Sequence, residues 1–302
     1  MKKIILLLII FYVTATSTFA CEICGCGAGS YYFGMMPQFH KNFFGVRYRY
    51  SSYLSHIGYA DMFKTTEKFQ TLELWGRYYI GKKWQILTFL PYNTHIQTDS
   101  KGAKEIRGIG DMSFLLNYRL ITPKHDSLNT IVKHTLWIGG GVKLPTGKYD
   151  YNSNDITQVS NPNFQLGSGS TDFVFNTQYT ARLKKWGINL DASVKINTKN
   201  KNDYRFGNRI SGNLLLFYLQ QIKKIGIMPS AGVYAENSTW DERNGYSIDA
   251  TGGFLTNFST GIDMYYKKYT IGCNFQTPFK QNLAHGHLRA ENRWVAHFSF
   301  LF

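Results

Sequence analysis

The 302-residue chain carries 34 Lys and Arg against 19 Asp and Glu, a formal net charge of +15, and is 16% aromatic with 28 Gly, 21 Tyr and 22 Phe. Beyond the first twenty residues no apolar run approaches the roughly 18 to 20 that a helix needs to cross a bilayer, which excludes a helical span there. The cations are scattered through turns and alternate positions without a basic helix, so anionic lipid headgroups suit them better than nucleic acid.

In chain order, residues 1–20 read as a signal peptide: "MKK" is a positive start, "IILLLIIFYV" an apolar core and Thr18-Phe19-Ala20 a cleavage site. Residues 21–42 then form a Cys-rich periplasmic tail or plug, ahead of a barrel domain over 43–302. Cys21, Cys24 and Cys26 are soft ligands whose spacing lets two or three thiolates converge on copper(I) or zinc. Met35, Met36 and His40 lie just beyond. A disulfide in the oxidising periplasm, acylation of Cys21, and no role at all remain open beside metal binding.

From residue 43 onward, strict alternation dominates. In "GINLDASVKIN", Ile188, Leu190, Ala192, Val194 and Ile196 share one face, and Asn189, Asp191, Ser193, Lys195 and Asn197 the other, which is strand periodicity. Repeating this reading predicts twelve strands, near 43–54, 67–80, 84–96, 109–121, 130–145, 170–182, 186–197, 207–219, 225–237, 249–264, 267–279 and 292–302. Most match the roughly 9 to 11 residues that a tilted strand needs to cross a membrane. Links after several even-numbered strands are short and basic ("GKK", "LKKW", "QIKK", "YYKK"), and the others are longer and polar, the longest from Thr146 to Gly169. "TPKHDSLN" departs from that pattern. The expectation is an all-β, transmembrane, antiparallel up-and-down β-barrel of about 12 strands, with short turns and both termini in the periplasm of a Gram-negative cell. A secreted sandwich alternates too, but with strands about half as long.

The last strand, "ENRWVAHFSFLF", puts Trp294, Ala296, Phe298, Phe300 and Phe302 on one apolar row. An aromatic C-terminus of this kind looks like the signal read by the outer-membrane barrel-assembly machinery. The expected partners are therefore that machinery, outer-membrane lipid and a small solute, with no nucleic acid.

Three glycine-marked strings follow one another: "GIGDMSFLLNYRL" from Gly108, "GGGVKLPTGKYD" from Gly139 and "LGSGSTDFVFNTQY" from Leu166. Together they resemble the family of outer-membrane transporters first named for the meta-pathway of phenol degradation, most clearly from Gly108 to Tyr179. The resemblance implies a membrane barrel of about this size with a transport role, and it carries no warrant for an aromatic substrate. The lysine of "LPTGK" does not make a phosphate loop, because the glycine spacing is one residue too long and Tyr149 replaces the metal-binding hydroxyl. The run Gly139 to Gly141 instead suits a close backbone approach.

If the apolar rows face lipid, the alternate rows line a pore: Arg47, Arg49, Glu73, Arg77, Asp111, Arg119, Lys133, Asp191, Lys195 and Arg293, with Asn117, Asn176, Gln178, Asn257 and Asp263 among them. The cationic excess suggests mild anion preference, and mutual pairing of acids and bases is the plainer alternative. Cys273 is in phase with Ile271 and Phe275 and is expected to face lipid, so it cannot complete the N-terminal set. His285 and His287 fall on the last long link. His297 shares the luminal face with Arg293, and His134 faces outward without a matching serine, so no enzyme activity is expected. The function expected is a channel or transporter for a small solute, linked to copper handling if the cysteine cluster holds metal. The alternative is a closed structural or surface-binding barrel.

Overall fold

The computed structural model describes residues 41–56, 64–100, 102–122, 132–150, 164–249 and 251–302. These contain seventeen strand segments: β1 (Phe43–His56), β2 (Lys64–Ile80), β3 (Trp84–Asp99), β4 (Gly102–Ile109), β5 (Ser113–Ile121), β6 (Val132–Lys143), β7 (Asp172–Leu183), β8 (Trp186–Ile196), β9 (Tyr204–Arg205), β10 (Arg209–Tyr218), β11 (Gln220–Ile222), β12 (Ile225–Ser238), β13 (Glu242–Arg243), β14 (Tyr246–Ser247), β15 (Gly253–Tyr266), β16 (Tyr269–Leu283) and β17 (Leu288–Leu301). The N-terminal cysteines, the leader and most of "TPKHDSLN" lie outside the described residues.

The wall is a closed ring of twelve antiparallel staves. Each pairs with its chain neighbours, and β1 also pairs with β17, from Phe43 opposite Leu301 to Ser55 opposite Leu288. Closure matters because an open edge in a bilayer would leave backbone N–H and C=O groups with neither water nor a partner. Two staves are composite. β3 pairs β4 along its far half and β5 along its near half, and β11 continues β10 against β12. Thus twelve staves form as the alternation requires.

The fourth stave departs from the sequence-based expectation. Residues 97–99 and 102–108, expected in a long link, lie on the paired strands β3 and β4, and Asp99 accepts from the Gly102 N–H at 3.0 Å. The stave then breaks at residues 110–112, where the Gly110 N–H still reaches Pro91 O at 2.9 Å. A second difference lies in the links before β10 and after β12, where β9, β13 and β14 build a small separate sheet outside the wall.

Inward and outward faces follow the predicted phase. Leu72, Leu74, Ile188, Leu190, Ile271 and Phe275 are exposed on the outside, and Cys273 shares that face as a free, exposed thiol. Inside, however, the lumen is not wholly polar. Phe43, Trp75, Leu87, Phe89, Leu115, Val174 and Leu301 form one buried apolar cluster, and Leu215, Phe217, Met228 and Tyr265 another. They come from runs such as "ILTFL" and "LLLF" that are apolar on both faces, and a barrel of modest diameter packs its interior with such side chains.

Four short turns, each with a Lys-Lys pair, close the same end of the barrel, where the Phe302 N–H also donates to Asn42 O at 3.0 Å. In three of them the first lysine, Lys184, Lys223 or Lys267, has a φ of 52° to 53°. That left-handed conformation costs a non-glycine residue roughly 1–2 kcal/mol.

Candidate functional site

Alternation alone delivers the luminal row, and register then decides which of its charges meet. Arg47 on β1 lies directly across from Glu73 on β2. Arg47 Nε donates to Glu73 Oε2 at 2.8 Å, Arg49 donates to Oε1 at 3.2 Å, and the Arg47 guanidinium stacks 4.8 Å above Trp75. The acid is thereby shared by two bases, all facing inward.

A second group spans the lumen instead of joining neighbours. Glu236 on β12 accepts from Arg293 on β17 at 2.7 Å, although β15 and β16 stand between those strands in the ring. Arg209 lies 3.7 Å from the same carboxylate, the Tyr234 hydroxyl donates to it at 2.7 Å, and Arg293 also donates to Tyr53 Oη at 2.6 Å. Glu236 and Arg209 escape the sequence reading. On β12 the outward residues Pro229, Ala231 and Ala235 are small while inward Met228 and Tyr234 are large, so hydropathy gives little sense of face.

The third group is built from the three glycine-marked strings, which the fold brings to one point. Asp111, from the first string, sits in the break between β4 and β5. Its Oδ2 accepts from Lys143 Nζ of the second string at 2.7 Å and from Ser168 N of the third at 2.8 Å. Lys143 also reaches Asp172 at 2.7 Å, Lys195 approaches that carboxylate to 3.3 Å, and Ser170 Oγ donates to it at 2.8 Å. The backbone is drawn in as well. The Gly147 N–H donates to Asp111 Oδ1 at 3.0 Å, and Thr146 Oγ donates to Gly110 O at 2.7 Å. Gly147 and Gly167 touch so closely that a Cβ on the former would lie 2.7 Å from the Cα of the latter.

This latch ties both described ends of the long β6–β7 link into the barrel mouth. Beside it Asn93 Nδ2 donates to Leu166 O at 3.0 Å, and the Phe164 ring sits 6.3 Å from that of Phe69 and 6.4 Å from His95. Phe164 joins Tyr53, Phe69, Leu255 and Leu283 in an apolar cluster under the rim. Gly139 and Gly141 carry out the close approach expected of them. A Cβ on either would fall within 2 Å of an atom of β5, at 1.9 Å from Asn117 Oδ1 and 1.8 Å from Phe114 O respectively.

The remaining luminal residues are placed as follows. Asp191 is buried and accepts from Asn189 at 2.7 Å; its register neighbours are Gln178 and Asn213. Asp263 meets His297 at 2.8 Å. Asn117, Asn176 and Asn257 are buried on the inner face. Lys133 keeps the luminal phase but is exposed at the rim, because β6 begins only one residue earlier. Arg77 and Arg119 lie at the lysine-turn end, over Tyr79 at 4.9 Å and Trp137 at 5.2 Å. There a cleft of about 370 Å³ is lined by Lys41, Lys82 and Arg119 together with Tyr79 and Phe302. Outside the wall, His134 shares a 2.7 Å hydrogen bond with Tyr179 Oη, and His285 lies 3.1 Å from Asp249. Among the described residues no three His, Cys, Asp or Glu are grouped to hold a metal; Cys21, Cys24 and Cys26 fall outside them.

The solved structures most like this fold are membrane barrels. A crystal structure of an outer membrane channel from Pseudomonas putida F1 superposes with a TM-score of 0.62 at 16% identity, covering 89% of this chain and 100% of its own. The beta domain of the Bordetella autotransporter BrkA (TM-score 0.48, 12% identity, 86% and 99% covered) and the NanC porin (0.44, 12%, 84% and 98%) are more distant and carry no weight here. No curated protein matches the sequence. Residues 65–276, which hold all three strings of the latch, match the family described as the MetA-pathway of phenol degradation, and the chain belongs to that family of outer-membrane barrels.

Proposed function

We propose that this barrel is an outer-membrane channel for small polar solutes, with its aperture narrowed by the described ends of the β6–β7 link, residues 144–150 and 164–171. The observation that carries the reading is the latch: a buried network of two lysines and two aspartates anchors a chain segment at the opening of a closed ring. A purely structural barrel has no need to hold a long link there with buried charge. The P. putida structure, named as an outer membrane channel, supports the reading by its fold.

A mild preference for anions goes with it. Most luminal acids are engaged by bases, whereas the lysine-turn mouth gathers Lys41, Lys82 and Arg119 along one cleft whose described lining holds no Asp or Glu and only the terminal carboxylate of Phe302 against them. Fixed positive charge at a narrow mouth raises local anion concentration. The short turns at the end that holds Asn42 and Phe302 support a periplasmic position for both termini, and the terminal Phe302 supports recognition by the barrel-assembly machinery.

Purified protein in planar bilayers tests this reading. Single-channel steps with a reversal potential favouring chloride over potassium are expected. An electrically silent, solute-tight barrel in liposome swelling supports the closed structural alternative instead.

A further inference from the structure

Three of the four lysine turns carry the same outward-facing arrangement, repeated around the ring. In the β2–β3 turn Lys83 is followed by Trp84, whose ring packs 4.8 Å from that of Tyr118 on the next stave, with Lys83 Nζ 5.7 Å above the tyrosine. In the β7–β8 turn Lys185 precedes Trp186, which packs 4.8 Å from Tyr218, with Lys185 Nζ 5.9 Å from that ring. In the β15–β16 turn Lys268 precedes Tyr269, 5.6 Å from Phe300, with Lys268 Nζ 5.6 Å from it. Each leading ring is strongly exposed on the outer face.

The backbone repeats as well. The carbonyls of Lys83, Lys185 and Lys268 accept from Arg119, Leu219 and Leu301 at 2.8, 2.7 and 2.7 Å, so each lysine is locked in the same register over its aromatic pair. The fourth turn differs: Lys224 is followed by Ile225, opposite Tyr266, and no ring pair forms there. The first lysine of the second and third sites stays at a left-handed φ that glycine would adopt without strain, as Gly81 does in the first.

We propose that these three Lys–aromatic platforms are binding sites for the phosphate of anionic phospholipids in the leaflet at the lysine-turn end. In each platform the ammonium of Lys83, Lys185 or Lys268 faces one phosphodiester, and the paired rings take the glycerol and upper acyl chain. Aromatic rings favour this interfacial depth, and each basic residue beside an anionic leaflet strengthens attraction. Charge complementarity selects the occupant, because the four turn pairs are all Lys-Lys and hold no acid.

Native mass spectrometry of the delipidated full chain, titrated with phosphatidylglycerol or phosphatidylcholine, tests the proposal. Up to three phosphatidylglycerol molecules are expected to bind preferentially. The combined K83A, K185A and K268A variant should lose about five-fold in affinity per site, while the K223A and K224A double variant keeps all three. Inorganic phosphate at millimolar concentration should not displace the lipid. Equal binding of the two lipids, an unchanged triple variant, equal losses in both variants, or displacement by free phosphate would each overturn it. Should the triple variant fail to fold, quenching of wild-type tryptophan fluorescence decides. Brominated phosphatidylglycerol must quench more than brominated phosphatidylcholine, and equal quenching rejects the sites.

Discussion

Asp111 and Lys143 stand 32 residues apart and meet at 2.7 Å, with both side chains about 95% buried. Their pairing joins the break in the fourth stave to the start of the long β6–β7 link. Lys143 also serves Asp172, so one ammonium bridges two buried carboxylates, the second of which it shares with Lys195. Burying charge is costly, and the balance depends on every partner remaining in place.

Replacing Lys143 with Met therefore takes away the lysine partner of Asp111 and leaves Asp172 with Lys195 alone. A loss of about 3–5 kcal/mol is expected, the usual cost of breaking a buried ion pair. Urea unfolding in detergent measures it, and planar-bilayer recordings of the folded fraction should show larger or noisier steps as the link loosens. Unchanged stability and conductance together would remove the latch from the mechanism.

Gly141→Ala places a methyl group 1.8 Å from Phe114 O on the neighbouring strand. The β5–β6 pair must separate, and overpacking of this kind costs about 1–3 kcal/mol at least. Refolding yield into vesicles, read by the heat-dependent shift in gel mobility, should drop well below that of Gly212→Ala, where the nearest atom, Asp191 O, lies 3.6 Å away.

Arg119→Glu reverses the charge at the lysine-turn cleft. Reversal potentials in a potassium chloride gradient should move toward cation preference, most strongly at low salt where screening is weakest. A shift of the same size from His134→Glu on the outer face would show that bulk charge, not the mouth, sets selectivity.

Outside the wall, Glu242 accepts from Arg205 Nε at 3.0 Å across the β9–β13 pair, and that hydrogen bond, ahead of any burial effect, holds its carboxyl below the usual range. A lowered folded value means the pair contributes fully above the ordinary glutamate pKa and fades as pH falls through the lowered one. Amide exchange at Arg205 and Glu242, corrected for intrinsic rates, should accelerate at acidic pH in the wild type but stay constant in Glu242→Gln.

Particular residues show how far the chain can be read directly. Ile188 to Ile196 alternate without exception, so strand, outward face and inward face of β8 all follow from period two, and Asp191 and Lys195 were assigned to the lumen on that basis alone. β12 resists the same treatment because Pro229, Ala231 and Ala235 on its outward face are small, and Glu236 escapes it. The β3–β4 pairing was missed because residues 97–99 and 102–108 are polar on both faces, as a strand standing beyond the bilayer can be.

Local alternation thus determines the number of staves and, where the two faces of a strand differ in polarity, the side of the wall each residue occupies, because those properties depend only on residues two apart. Which luminal charges meet was decided by the closed ring. Arg293 and Glu236 lie 57 residues apart on staves that never pair, and Asp111, Lys143 and Ser168 come from three separate strings. Tilt and stagger set those distances only once β1 has closed on β17, and no pattern within a single strand encodes them.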